Sequence, residues 1–151
     1  MIMIPLLILQ IFLFPLTANW LMNIWVDSRR TLTLQDAASH LGSTIQQLYF
    51  SLDHPSVPDG TEMSSSPRLP PFIDGFHYLG NATLRSVGPA PTSSQLLEIT
   101  LRLIATGIKV TTSVILGSDA QWNQASVFMS NSSNPCICAD KDVKITLYFQ
   151  G

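Results

Sequence analysis

The sequence predicts an α+β protein in which a long N-terminal hydrophobic α-helix precedes an antiparallel β-sheet or β-sandwich. Three observations predict this arrangement. Residues 1–26 are apolar and uncharged, and residues 27–54 continue as an amphipathic helix. Short segments of alternating apolar and polar residues then fill residues 76–151, as is typical of half-buried strands joined by short turns. A Pro- and Ser-rich crossover over residues 55–75 separates the helical unit, residues 1–54, from this β-rich surface domain.

The first segment, residues 1–26, governs the interpretation of the whole chain. As a helix it would extend roughly 39 Å, which is enough to cross the ~30 Å hydrocarbon layer of a bilayer. A helix that is apolar on every side must be surrounded on every side, so we expect either lipid or copies of the same helix to cover it. The side chains expected to form a filament core or membrane span are Ile4, Leu7, Ile8, Ile11, Phe12, Phe14, Trp20, Leu21, Ile24 and Trp25.

This apolar segment differs from a cleavable signal peptide. No Lys or Arg precedes Arg29, the apolar run exceeds a usual h-region, and residues 16–18 form a poor cleavage site. We therefore expect the segment to be retained. Pro5 suits the first turn of a helix, whereas the interior Pro15 predicts a local kink or loosening.

The residues that follow the span leave its orientation open. Trp20 and Trp25 suit a membrane–water interface, and they suit packing within a helix bundle equally well. Arg29 and Arg30 come next, and the positive-inside rule would place them in the cytoplasm. The downstream chain is rich in Ser, Thr, Asn and Gln but poor in charge, which instead favours an extracellular surface.

The second part of the helix carries one apolar stripe that predicts packing against the following domain. We expect the helix to end at His54, because the residue before a proline is pushed out of the α region. The stripe consists of Leu34, Ala38, Leu41, Ile45, Leu48 and Leu52.

Turn residues divide the β-rich domain into four or five short strands. The last segment, residues 147–151, matches the core of a common protease-tag site but lacks its acidic residue. Because Ile145, Leu147 and Phe149 keep a period of two, we interpret the segment as a native strand. The predicted strands cover residues 76–87, 97–103, 109–116, 122–129 and 143–149, with turns at 88–91, 106–107 and 117–119.

Composition and motifs give little support for catalysis or nucleic-acid binding. Only 12% of residues are charged, the net charge is -2, and no basic patch occurs, so nucleic acid is not an expected partner. His40, His54 and His77 lack the spacing of a metal pair, and no phosphate loop or nucleophile elbow is found. We expect no enzyme activity, cofactor or bound metal.

Two further local features are a pair of cysteines and two N-glycosylation sequons. Cys136 and Cys138 would point to one face of a strand, and three alternatives remain for them: unpaired thiols, a strained local disulfide, or a metal site completed by further ligands such as Asp140. Asn81 and Asn131 each begin an N-glycosylation sequon near a predicted turn.

The apolar run, the striped continuation to Leu52 and the β-rich remainder together resemble a type IV pilin-like subunit, particularly archaeal pilins and archaellins. Residues 43–49, Ser-Thr-Ile-Gln-Gln-Leu-Tyr, look like the outer half of the helix in such proteins. Position 5 is Pro5 rather than the acidic residue of bacterial pilins, so the archaeal version fits better. The resemblance implies helices bundled in a filament core and an outer surface of β domains, often glycosylated.

The function expected from this resemblance is that of a structural subunit of an extracellular filament. The subunit would sit in the membrane before assembly and would then form a homopolymer through its hydrophobic helix. Surface glycans or adhesion targets would be further partners. The alternative is a single-span, membrane-anchored protein whose β domain binds a ligand or partner as a monomer.

Overall fold

A computed structural model describes residues 2–89 and 93–151 of the chain. It confirms the predicted fold class, with one long N-terminal helix followed by two mainly antiparallel sheets. The elements are α1 (Met3–Asp53), β1 (Glu62–Ser65), β2 (Tyr78–Val87), β3 (Ser94–Leu103), β4 (Lys109–Leu116), β5 (Ala120–Trp122), β6 (Phe128–Met129), β7 (Cys136–Lys141) and β8 (Ile145–Gln150).

Helix α1 has 51 residues and is therefore about 76 Å long. It continues through Pro15 and ends where the sequence predicts, because His54, the residue before Pro55, adopts an extended conformation with ψ 133°. Residues from Met3 to Thr33 include no buried side chain. Burial begins at Leu34 and follows the predicted stripe to Leu52.

The β domain consists of two four-stranded sheets. In the first sheet the order is β1-β7-β8-β5, with antiparallel neighbours except for the parallel pair β5 and β8. In the second the order is β4-β3-β2-β6, and all neighbours are antiparallel. Strands β2, β3 and β4 follow one another as hairpins, whereas the first sheet collects strands from distant parts of the chain.

The striped half of α1 packs into a core shared with both sheets. Leu41 and Ile45 are fully buried there, and strands β3 and β4 provide the nearest surface. Gly42 lies on the same face, where a Cβ atom would approach Val114 Cγ1 to 3.0 Å. The absence of a side chain at this position lets the helix backbone lie close to β4.

Three details of the strand prediction are wrong or incomplete. The strand predicted over residues 122–129 does not form, because the chain leaves the first sheet after Trp122 and enters the second at Phe128. Strand β1 lies inside the predicted crossover, and β7 was not predicted as a strand. The turn predicted at residues 88–91 falls partly on Ala90 and Pro91, which lie outside the described residues.

Candidate assembly surface

The apolar half of α1, residues 3–26, is the largest exposed hydrophobic surface of the described chain. All ten side chains predicted to form a filament core or membrane span lie on it, and their exposed fractions run from 46% at Ile24 to 75% at Phe14. They project on every side of the helix, because at 100° per residue their positions spread around its circumference over about six helical turns. This helix is long and apolar enough to cross a membrane.

Four polar side chains interrupt this surface in two pairs. Gln10 and Thr17 are seven residues apart, and Asn19 and Asn23 are four apart, so each pair shares one side of the helix. The Thr17 hydroxyl donates to the backbone carbonyl of Leu13 at 3.0 Å and is thus satisfied within its own helix. The polar groups therefore leave most of the circumference apolar.

Pro15 introduces a local weakness in the backbone of this half. Its nitrogen carries no hydrogen, so the carbonyl of Ile11 loses its usual helical donor. A shallow hollow lies beside the proline, lined mainly by apolar side chains with Gln10 and Thr17 at its margin.

The two halves of the helix meet at a polar contact with the domain, which we call the Asp74 latch. Arg30 Nε lies 3.0 Å and Arg29 Nη2 lies 3.4 Å from the carboxylate of Asp74. The Arg30 guanidinium also lies 5.4 Å from the centre of the Phe76 ring. The latch holds the loop before β2 against the helix where the exposed half begins.

A second contact fixes the other end of the helix. Buried Tyr49 donates its hydroxyl hydrogen to the Asp119 carboxylate in the turn before β5. Burial, together with this hydrogen bond and the charge of Asp119, raises the pKa of Tyr49. Desolvation by the surrounding protein and the neighbouring Asp119 likewise raise the pKa of Asp53 above its ordinary value, although its side chain is largely exposed.

The two cysteines are buried, unpaired thiols on β7. Their sulfur atoms are 3.4 Å apart, and Gln150 Oε1 lies 3.0 Å from the sulfur of Cys138. Burial, followed by the hydrogen bond and charge of Cys136, raises the pKa of Cys138 to about 11. Within residues 2–89 and 93–151, no three His, Cys, Asp or Glu side chains are grouped to hold a metal ion.

The structure places the two sequons in different settings. Asn131 lies in an exposed turn, as expected. Asn81 was expected near a turn but lies within β2, opposite Thr100 of β3, with its side chain exposed.

The exposed apolar surface of α1 can be predicted from the sequence, because consecutive residues form it. The Asp74 latch and the Tyr49–Asp119 contact cannot, because each joins residues that are distant in the chain.

Comparison with known proteins gives no relative from which a family or function can be transferred: no family model, curated protein or solved structure matches this chain.

Proposed function

We propose that the chain is a structural subunit of an extracellular filament that self-assembles through the apolar half of α1. The observation that carries this proposal is the uninterrupted helix, which joins an apolar half without any buried side chain to a half built into the domain core. Before assembly the apolar half would reside in the membrane. In the filament, identical helices would replace the lipid around it.

The rigid connection between helix and domain supports a polymer. A helical polymer repeats one heterologous contact without closing into a ring, so every subunit must present its domain at the same angle to the core. Here no linker separates the apolar half from the domain, and the Asp74 latch holds the domain at the point where that half begins. A continuous helix of this kind supplies the fixed angle.

The energetics also favour enclosure of the apolar half. Burial of apolar surface contributes about 25 cal/mol per Å², and exposed patches beyond a few hundred Å² mark sites of interaction. Ten large side chains exposed in consecutive turns form such a patch. Bundled helices would bury them without any charged residue having to leave water.

The second candidate is a single-span, membrane-anchored protein whose β domain binds a partner as a monomer. The observation that favours it is the same helix, whose length and hydropathy suffice for a membrane span. Trp20 and Trp25 are exposed, and the Arg29 guanidinium lies 5.8 Å from the centre of the Trp25 ring, an arrangement that also suits a membrane interface. The two candidates differ in what covers the helix permanently, and this difference can be tested.

Negative-stain electron microscopy of the full chain after removal of detergent separates the two candidates. The filament proposal predicts uniform thin filaments, whereas an anchored monomer would aggregate irregularly or remain dependent on detergent. Filaments should be abolished by Leu9→Asp and by Phe12→Asp, because each would place a carboxylate in an apolar core. Normal filaments from either variant would overturn the proposal.

Matched controls use residues of the same type outside the apolar half. Phe72→Asp changes an exposed phenylalanine of the crossover, and Leu32→Asp changes an exposed leucine beyond the latch. Phe72→Asp should leave filaments intact. If it disrupts assembly as strongly as Phe12→Asp, the assembly contact is not specific to the apolar half of the helix.

A further inference from the structure

The outer face of the first sheet carries two buried thiols in otherwise polar surroundings. Paired positions across antiparallel strands project to the same face, so Cys138 shares its face with Ser64 of β1 and Tyr148 of β8. The opposite face of β7 carries Ile137 and Ala139, which belong to the hydrophobic core. Cys136 and Cys138 are nevertheless only 9% and 6% exposed.

The distance between the two sulfur atoms can be compared with the distances in a disulfide and in a metal chelate. A disulfide requires sulfur atoms about 2.05 Å apart, so the observed 3.4 Å would have to shrink by a large amount. Two sulfurs bound to one tetrahedral Zn²⁺ at about 2.3 Å lie about 3.8 Å apart. The observed 3.4 Å is the ordinary non-bonded contact of two neighbouring thiols, and the sulfur atoms would have to move apart by only about 0.4 Å to chelate one ion.

A third donor is already directed at the pair. Gln150 pairs with Cys136 across the β7–β8 ladder, and its Oε1 atom lies 3.8 Å from the sulfur of Cys136 and 3.0 Å from that of Cys138. Two sulfurs and one oxygen thus converge. Cys138 and Gln150 also line a polar hollow of about 280 Å³, which has room for water.

The charges around this hollow favour a cation. Cys138 contributes to its wall beside the carboxyl groups of Glu62 and Asp140, and no Lys or Arg lines it. A concave site lined by one sign of charge concentrates ions of the opposite sign. Soft thiolate donors then select among cations, favouring Zn²⁺ and related ions over Mg²⁺ or Ca²⁺.

We propose that Cys136, Cys138 and Gln150 form a binding site for a thiophilic divalent cation of the Zn²⁺ class. Water from the adjacent hollow completes the coordination. Both cysteines lose their protons when the ion binds, so the ion carries two thiolates and one amide oxygen. The site links β7 to β8 on the outer face and is independent of the apolar half of α1.

Titration of the full reduced chain with Cd²⁺ tests this site, because Cd²⁺ bound to thiolate gives an ultraviolet charge-transfer band. We expect one Cd²⁺ per chain and displacement by Zn²⁺. Cys136→Ser and Cys138→Ser should each remove the band and weaken Zn²⁺ binding by at least about 100-fold, and Gln150→Ala should weaken it about 10-fold. Circular dichroism would establish that each variant is folded.

Gln121→Ala is the matched control, because Gln121 is an exposed glutamine of β5 in the same sheet. It should bind Cd²⁺ like the unaltered chain. A folded, reduced chain without the band would overturn the proposal, as would a band that survives both serine variants. Isolation of the chain with Cys136 and Cys138 joined as a disulfide would also overturn it. Equal affinities of Gln150→Ala and Gln121→Ala for Zn²⁺ would show that Gln150 is not a ligand.

Discussion

The two halves of α1 share one backbone conformation and have opposite surroundings. The half before Asp27 is the more hydrophobic, yet none of its described side chains, from Ile2 onward, is buried. The half from Leu34 to Leu52 carries many polar residues, and it alone supplies the helix's buried side chains. Burial within the subunit therefore follows the presence of a single apolar stripe, whereas uniform hydrophobicity marks a surface that something outside the subunit must cover.

The sharpest test of this comparison replaces one leucine in each half. Leu41→Ala removes a fully buried side chain and should lower the free energy of unfolding of the domain by about 2–5 kcal/mol. Leu9→Ala, at a side chain 58% exposed, should change it by less than about 0.5 kcal/mol. Denaturant unfolding in detergent measures both, with Trp122 as the fluorescent probe after Trp20 and Trp25 are replaced by Phe.

Equal destabilisation by the two leucine variants would contradict the comparison. It would mean that the apolar half and the domain unfold as one cooperative unit. Filament formation by the same variants should show the reverse order of effects if the proposed assembly surface is correct.

A second test concerns the end of the buried half, where Tyr49 donates to a carboxylate. Tyr49→Phe should cost about 1.5–3 kcal/mol, because hydrogen bonds to charged groups contribute that much. Tyr78→Phe is the matched control, since Tyr78 donates to the carbonyl of Pro70 at 2.7 Å and should cost about 0.5–1.5 kcal/mol. Thermal unfolding at neutral pH compares the two variants. A larger loss of stability for Tyr78→Phe would show that the charge of Asp119 does not strengthen the hydrogen bond from Tyr49.

The smallest expected effect depends on pH. Because the folded pKa of Asp53 lies above its unfolded value, the contribution of this group to stability is greatest below about pH 3.9 and is lost as pH rises through the folded pKa. Asp53→Asn should therefore stabilise the domain at pH 7, by less than about 1 kcal/mol because the side chain is exposed, and should have no effect near pH 3. Asp59→Asn, in an exposed loop, is the control. A gain that is equal at both pH values would contradict the assignment to Asp53 ionisation.

The parts of the fold that could be predicted are those with a strong local pattern. The helix was predicted to within two residues at its end because Pro55 stops it, and β4 was predicted over its full length because β-branched residues dominate it. Strand β1, Glu-Met-Ser-Ser, is an exposed edge strand without apolar alternation, so nothing in its sequence indicated pairing. Strand β7 is buried on both faces and does not alternate either.

The functional residues divide in the same way. Composition alone predicted the exposed apolar surface, because hydrophobicity on all sides of a helix is a property of consecutive residues. The Asp74 latch required knowledge that the crossover returns to the helix beside Arg30. The donor set around Cys138 required the register that brings Gln150 opposite Cys136, which no single segment encodes.

The topology of the first sheet determines the order in which a nascent chain can mature. Strands β2, β3 and β4 are sequence neighbours and can pair as they leave the ribosome, since local contacts form early. The first sheet has to wait, because among the described strands β1 pairs with β7 alone, and β5 with β8 alone. Translation must therefore reach Gln150 before the core beneath α1 is closed, so a chain released before β8 would carry half a domain on a complete hydrophobic helix.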